Sequence, residues 1–412
     1  MRFLCFTQYF YPEVGASQVV MASIIHELIR QGHDVELVTA MPNHPTGAIF
    51  PAYRGKWYVR EEWEGVPVHR IWLCAANDST LKRMVNYLSF ACTAPFALRR
   101  AQKPDYLFLD SPPLTNSIPA VLAARRWGVP LIVNVSDLWP DSVRDLGVLR
   151  DGAILRAAER LEAWTYTNAS YLDAVTDGIY TTLIEKKGVP AEKVLHLPNG
   201  VDIETFKPAP RDDALARELG LVDTPVLLYA GTHGHAHGMD VALAAAALLT
   251  DTPIQFIFIG NGPKRQALIE LAQARRLPNV RFLEPEPLAF VARLHTLAFA
   301  GLSTLSNNPL FEGTRPVKAL VAMAAGKPVI YSGAGEGARI ITDAKAGLVT
   351  PPEDGAALAA AIRRLWEHPA EAREMGANGR AYIERHLSWQ TLVREWLADL
   401  TARESQRAAK QQ

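Results

Sequence analysis

The stretch that decides the fold runs RFLCFT (Arg2–Thr7), YPEVGAS (Tyr11–Ser17), a helical pattern over Ser17–Gln31 stopped by Gly32, and then DVELVT (Asp34–Thr39). A short apolar run passes through a glycine turn into an amphipathic helix, and a second apolar run follows at once. That order is a βαβ unit, in which two buried parallel strands flank a crossover helix. Working outward, the first half predicts further strands at Val68–Trp72, Tyr106–Asp110, Leu131–Val135 and Ser170–Val175. The second half predicts strands at Pro225–Tyr229, Gln255–Ile259, Val280–Phe282 and Val329–Ser332. Helices fit Met239–Leu249, Pro263–Ala274, Lys318–Ala325 and Asp354–His368. The fold class is therefore α/β, with two doubly wound Rossmann-like domains facing across a cleft. Ligands bind at the C-terminal strand ends of such sheets.

The division expected is an N-terminal domain over 1–200, a C-terminal domain over 201–385, a helix over 386–402 packing back on the first domain, and a polar tail over 403–412 that frays. The Pro-, Asp- and Asn-rich segment Leu197–Asp213 reads as the linker. At 412 residues, 49% hydrophobic and 21% charged, the chain has the composition of a globular enzyme. Lys+Arg and Asp+Glu both number 43, so no net charge draws it to nucleic acid, and attraction to an anionic surface must come from a local patch. Cys5, Cys74 and Cys92 form no CxxC pair, which argues against a disulfide framework or a zinc site and for a reducing compartment. The apolar start is too short for a signal-peptide core, and no run reaches a membrane span. A cytoplasmic protein, at most lying on a membrane surface, is expected.

Two glycine turns join strand to helix. Gly15 and Ala16 would let a ligand approach the start of the first helix, although a tight turn accounts for them almost as well. The second, Gly231-Thr232-His233-Gly234-His235-Ala236-His237-Gly238, leads into the helix from Met239. Backbone N–H groups there suit a diphosphate. The three histidines invite a metal reading, but no carboxylate or thiolate nearby completes a ligand set, so no metal is expected. A third constellation is Glu312-Gly313-Thr314-Arg315-Pro316-Val317-Lys318, ahead of an apolar helix ended by Gly326. Thr314 is expected to cap and Pro316 to enter the first turn. Arg315 and Lys318 would repel each other unless an anion sat between them; solvated surface charge is the alternative. Asp137 closes the strand Leu131–Val135, where a carboxylate would face a ligand in the cleft, serve as a base or merely cap a turn. Leu81–Arg100 is apolar in the middle with Lys82, Arg83, Arg99 and Arg100 at its ends, the pattern of an interfacial helix or of a core helix with charged ends.

Taken in order, Phe10–Ala16, Gly32–Val35, Asp137–Ser142, Leu197–Asp202, Tyr229–Thr232, Ala324–Val329 and Ala346–Val349 resemble family 4 glycosyltransferases of the GT-B fold. Within that family they are similar to bacterial lipopolysaccharide and capsule transferases of the N-acetylfucosaminyltransferase type. The resemblance implies a nucleotide-sugar co-substrate, usually a UDP-sugar, no cofactor or required metal, retention at the anomeric carbon, and a glycan or lipid-linked acceptor. It places catalysis on Asp137, Lys318 and Arg315. Donor contacts fall on Gly15, Ala16, Gly231, Thr232, His237, Gly238, Thr314 and Glu312. The chain also departs from the family. Loop Arg and Lys positions fall on Thr232 and His237, and the E-x7-E glutamates fall on Gly313 and Val321. An epimerase of the same fold and a degenerate transferase acting as a binding subunit are the rival readings.

Overall fold

The computed structural model describes residues 1–13, 15–76, 79–141, 144, 152–308, 311 and 313–411. The chain divides into two compact units: Met1–Pro198 with Val393–Gln412, and Asn199–Leu392.

The first unit is built on eight strands: β1 (Arg2–Phe6), β2 (Asp34–Ala40), β3 (Tyr58–Trp63), β4 (Val66–Ile71), β5 (Tyr106–Ser111), β6 (Leu131–Val135), β7 (Tyr171–Ala174) and β8 (Val194–His196). Their order across the sheet is β3-β4-β2-β1-β5-β6-β7-β8. Pairing is parallel, with Arg2 opposite Asp34 and Phe6 opposite Val38, except where β3 runs antiparallel to β4. Strand β1 is buried from Phe3 to Phe6, the continuous apolar pattern of a strand covered on both faces. The helices are α1 (Ala16–Arg30), α2 (Thr80–Leu98), α3 (Ser117–Trp127), α4 (Ala153–Asn168) and α5 (Asp177–Glu185). The hydroxyl of Ser79 caps α2 by accepting from the Lys82 N–H, and Gly128 ends α3 in the left-handed region at φ 64°.

The second unit has six parallel strands, ordered β11-β10-β9-β12-β13-β14. They are β9 (Val226–Ala230), β10 (Gln255–Ile259), β11 (Val280–Leu283), β12 (Ala298–Thr304), β13 (Val329–Ser332) and β14 (Gly347–Thr350). Around them lie α6 (Asp213–Glu218), α7 (Asp240–Ala247), α8 (Arg265–Ala274), α9 (Leu288–Leu297), α10 (Val317–Ala324), α11 (Gly335–Asp343), α12 (Gly355–Glu367) and α13 (Pro369–Tyr382). Helix α14 (Trp389–Gln411) begins in this unit and runs on into the first. There Trp396 is buried beside the rings of Phe3 and Phe108, with centroids 6.1 and 5.9 Å away. The tail from Arg403, expected to fray, is helical to Gln411. Arg403 donates to the Ala191 carbonyl at 3.0 Å, and Glu404 accepts from the Tyr171 hydroxyl at 2.7 Å.

The strands expected from sequence are present within one or two residues at each end, while β3, β8, β12 and β14 were not foreseen. The omission of β12 matters most, because it lies at the centre of its sheet. Its residues AFAGLST are small because α10 presses on them: a Cβ on Gly301 would sit 2.4 Å from the Cβ of Ala322.

Candidate functional site

Loops at the C-terminal strand ends of the second unit bring Gly231 and His237 beside Lys318. Gly231 follows β9 at φ 145°, and a Cβ there would come within 2.6 Å of the Lys318 side chain. The glycine therefore makes the turn and leaves room for the lysine stem. Backbone hydrogen bonds hold the loop: Gly231 N–H to the Ile259 carbonyl and His233 N–H to the Asn261 carbonyl, both 2.9 Å. The Tyr229 hydroxyl donates to the Thr232 carbonyl at 2.8 Å. A short helical turn over His235–His237 closes at Gly238, φ 52°. Asp240 then places a carboxylate on the first turn of α7, so that helix end already has an anion beside it.

The three loop histidines diverge. His233 is fully buried between the rings of Tyr229 and Phe282, with centroids 5.8 and 6.0 Å away, and burial together with Arg265 and Lys318 pushes its pKa down to about 4. His235 is exposed. His237 Nε2 lies 3.3 Å from Lys318 Nζ; burial, then the lysine's charge, lower its pKa to about 4. A neutral His237 can accept from Lys318 through Nε2. The ammonium also stands 5.4 Å from the centre of the Tyr229 ring. Burial brings the pKa of Lys318 down to about 8. The result is a half-buried cation, still charged at pH 7, beside a backbone-lined loop. Among the described residues no three His, Cys, Asp or Glu side chains cluster as metal ligands.

Arg315 is paired within the protein. Its Nε and Nη2 both donate to Glu336 Oε1 at 2.7 Å, and both side chains are buried. The anion beside Arg315 is thus a carboxylate of the protein itself, and the buried pair ties the segment ahead of α10 to α11. Glu336, in the first turn of α11, was not singled out from sequence; the signal available was a carboxylate set among small residues in Ser332–Gly337. Thr314 is exposed and does not cap α10, whose N-cap is Pro316 with no side-chain bond, so Pro316 lies outside the first turn. Thr232 is exposed, and Glu312 lies outside the described residues.

In the first unit, Gly15 is the extended N-cap of α1 and Ala16 its first residue. Asp137 is exposed just past β6. Sequence reasoning missed a buried polar group on the neighbouring strand. Asp110 near the end of β5 accepts from Thr7 Oγ1 at 3.1 Å and Asn134 Nδ2 at 3.2 Å, and burial raises its pKa to about 6. Glu13 is buried too, accepting from the backbone N–H groups of Phe10, Asn43 and His44 at 2.7–3.1 Å. A charged residue ending the apolar run Tyr106–Asp110 was the readable sign. Lys82 and Arg83 lie in the first turn of α2, and Arg99 and Arg100 just beyond its end; all four are exposed.

Two family models match the chain: a glycosyl transferase 4-like domain over residues 15–200 and glycosyl transferases group 1 over residues 212–382. An Escherichia coli K12 protein assigned to colanic acid biosynthesis as the glycosyl transferase WcaI is 28% identical, covering 97% of this chain and 100% of its own. Sucrose-phosphate synthase from Thermosynechococcus elongatus superposes with a TM-score of 0.75 at 19% identity over 99% of both chains. Anabaena HepE in complex with UDP-glucose gives 0.69 at 19% identity, over 98% of this chain and 100% of that one.

Proposed function

We propose that this chain, which belongs to the family 4 glycosyltransferases of the GT-B type, moves a sugar from a UDP-sugar to a glycan or lipid-linked acceptor in cell-surface polysaccharide synthesis, with retention at the anomeric carbon. The observation that carries the donor side is Lys318: a half-buried ammonium with no carboxylate partner among the described residues, set against the Gly231–Gly238 loop and braced by His237. Such a cation suits the departing diphosphate, whose charge grows as the bond between the anomeric carbon and its oxygen breaks. In the reaction read here, that oxygen keeps the electron pair. The acceptor hydroxyl bonds to the anomeric carbon from the same face and passes its proton to the departing diphosphate. Loop N–H groups and Lys318 stabilise the charge, and Arg315, tied to Glu336, keeps Lys318 in place. Asp137, exposed past β6, is read as an acceptor-hydroxyl contact. The UDP-glucose complex of HepE and the colanic acid role in the name of WcaI support the choice of donor and pathway class.

The test is calorimetric titration with UDP, followed by product analysis of UDP-sugars with and without lipid-linked and soluble glycans. Nucleotide released only with acceptor present supports transfer. An altered UDP-sugar formed without acceptor replaces it with epimerisation. Gly313 and Val321, where the family has glutamates, favour a second reading as a binding subunit; UDP binding without turnover on any donor would establish that one.

A further inference from the structure

Helices α2 and α3 of the first unit present an apolar face that no described residue covers. On α2, Leu81 (75% exposed), Val85 (43%), Leu88 (46%), the exposed Cys92 and Arg99 fall within about 60° of one another around the helix axis. On α3, Ile118 (38%), Leu122 (56%) and Arg125 do the same. The buried faces of the two helices, Phe90, Ala94, Ala97, Leu98 and Ala120, Val121, Ala124, belong to one core, and the helices pack side by side. Each follows a parallel strand and returns to the next, so they run in the same direction. Their C-terminal ends therefore share an edge, which collects Arg99 and Arg100 from α2 and Arg125 and Arg126 from α3. Trp57, half exposed, stands near that end with its ring 6.3 Å from Phe96 of α2.

The charge of this face is one-sided. Neither helix contains an acidic residue, and none of the four arginines has a carboxylate partner among the described residues. Arg100 lies with its guanidinium 3.6 Å from the Phe96 ring centre, and Arg125 donates to the Asn168 side chain. An exposed apolar stripe edged by unneutralised arginines and a tryptophan matches the interface of an anionic bilayer, where acyl chains meet the stripe and headgroups meet the cations. A second copy of the chain fits poorly, because a two-fold contact through this face would supply no carboxylate to either arginine cluster. Arg83 points elsewhere: it lies on the opposite side of α2 from the stripe and acts on the Tyr9 phenol, so it is not part of the surface.

We propose that the α2–α3 face docks the protein on an anionic lipid surface, with Leu81, Val85, Leu88 and Leu122 entering the acyl boundary and Arg99, Arg100, Arg125 and Arg126 meeting headgroups. Sedimentation with phosphatidylcholine vesicles, with and without phosphatidylglycerol, reads this directly. The protein is expected to sediment only with the anionic vesicles and to be released as salt rises. Each arginine replaced by Gln should lower partitioning about fivefold, whereas the four Arg→Lys replacements should retain most of it. Leu88→Glu with Leu122→Glu should abolish binding, with the thermal melt and UDP affinity unchanged as checks on folding. Equal sedimentation with neutral vesicles, no sedimentation with anionic ones, or binding that survives the four Gln replacements would overturn the proposal. So would a dimer in vesicle-free buffer that Leu88→Glu dissociates. UDP binding belongs to the other unit, so failure of the transfer reading leaves the vesicle result intact, and the reverse holds.

Discussion

Replacing Lys318 by Met separates the charge of the site from its shape. Methionine keeps an unbranched stem against Gly231 and the Tyr229 ring but cannot pair with a diphosphate. Loss of one hydrogen bond to a charged group, about 1.5–3 kcal/mol, weakens UDP binding about 10- to 150-fold. The pH dependence sharpens the test. In the free protein Lys318 titrates at about 8, below its ordinary 10.5, because burial disfavours the ammonium. The cation is present at pH 7 and is lost as pH rises through 8. Only about a tenth of it remains at pH 9, so wild-type affinity should fall about tenfold between pH 7 and 9 while the Met variant stays flat. Stability moves the other way. Between about 8 and 10.5 the unfolded lysine holds a proton that the folded one has released, so this residue makes wild-type stability rise with pH across that window. The variant should lack that rise and be no less stable at pH 7. Calorimetric titration at three pH values, with denaturant melts alongside, reads both quantities. UDP affinity within twofold of wild type, with the same pH profile, would refute the assignment of Lys318 to the donor.

Further outcomes follow from the rest of the site. Turnover should survive EDTA, since the diphosphate is assigned to Lys318 and loop N–H groups; loss on chelation with recovery on adding a divalent metal counts against that assignment. Glu336→Gln removes the carboxylate that Arg315 Nε and Nη2 share and should destabilise the protein by about 3–5 kcal/mol, while Arg315→Met with Glu336→Leu should cost far less. Denaturant midpoints decide, and equal stability of the single and double variants rules out the buried pair. Asp110, raised from 3.8 to about 6, holds its proton longer when folded, so its contribution to stability declines as pH climbs from about 4 to about 6. In Asp110→Asn that decline should vanish; an unchanged pH–stability curve would show that the carboxyl is not buried as described.

Much of the architecture was readable because buried parallel strands are apolar on both faces, as in Arg2–Phe6 and Leu131–Val135. Where that rule fails, reading failed with it. Strand β3 carries Arg60, Glu61 and Glu62 because it is an antiparallel edge, half exposed along its length. Strand β12 is small rather than bulky because a helix lies against it. The site divided in the same way. Lys318 stood at a spacing the family resemblance could supply, and Gly231 lay at a readable strand end. Glu336 is 21 residues from Arg315 and meets it only after β13 and α11 have folded, so nothing local announced the pair. The capping role given to Thr314 failed because the chain enters α10 through Pro316 with no side-chain bond.

Helix α14 has a consequence for the order in which the protein is made. The first unit takes its last piece, Val393–Gln412, from the far end of the chain, after the whole of the second unit has been translated. Until then the site of Trp396 beside Phe3 and Phe108 stays open, and a fragment ending at Pro198 would expose it. The second unit behaves as an insertion whose ends meet: Val201 pairs with Ser388, and Gly200 packs on Trp389 and Leu392. On the ribosome, the inserted unit can close on itself before its host is complete, and the N-terminal half must wait, with apolar surface uncovered, for Val393–Gln412 to emerge.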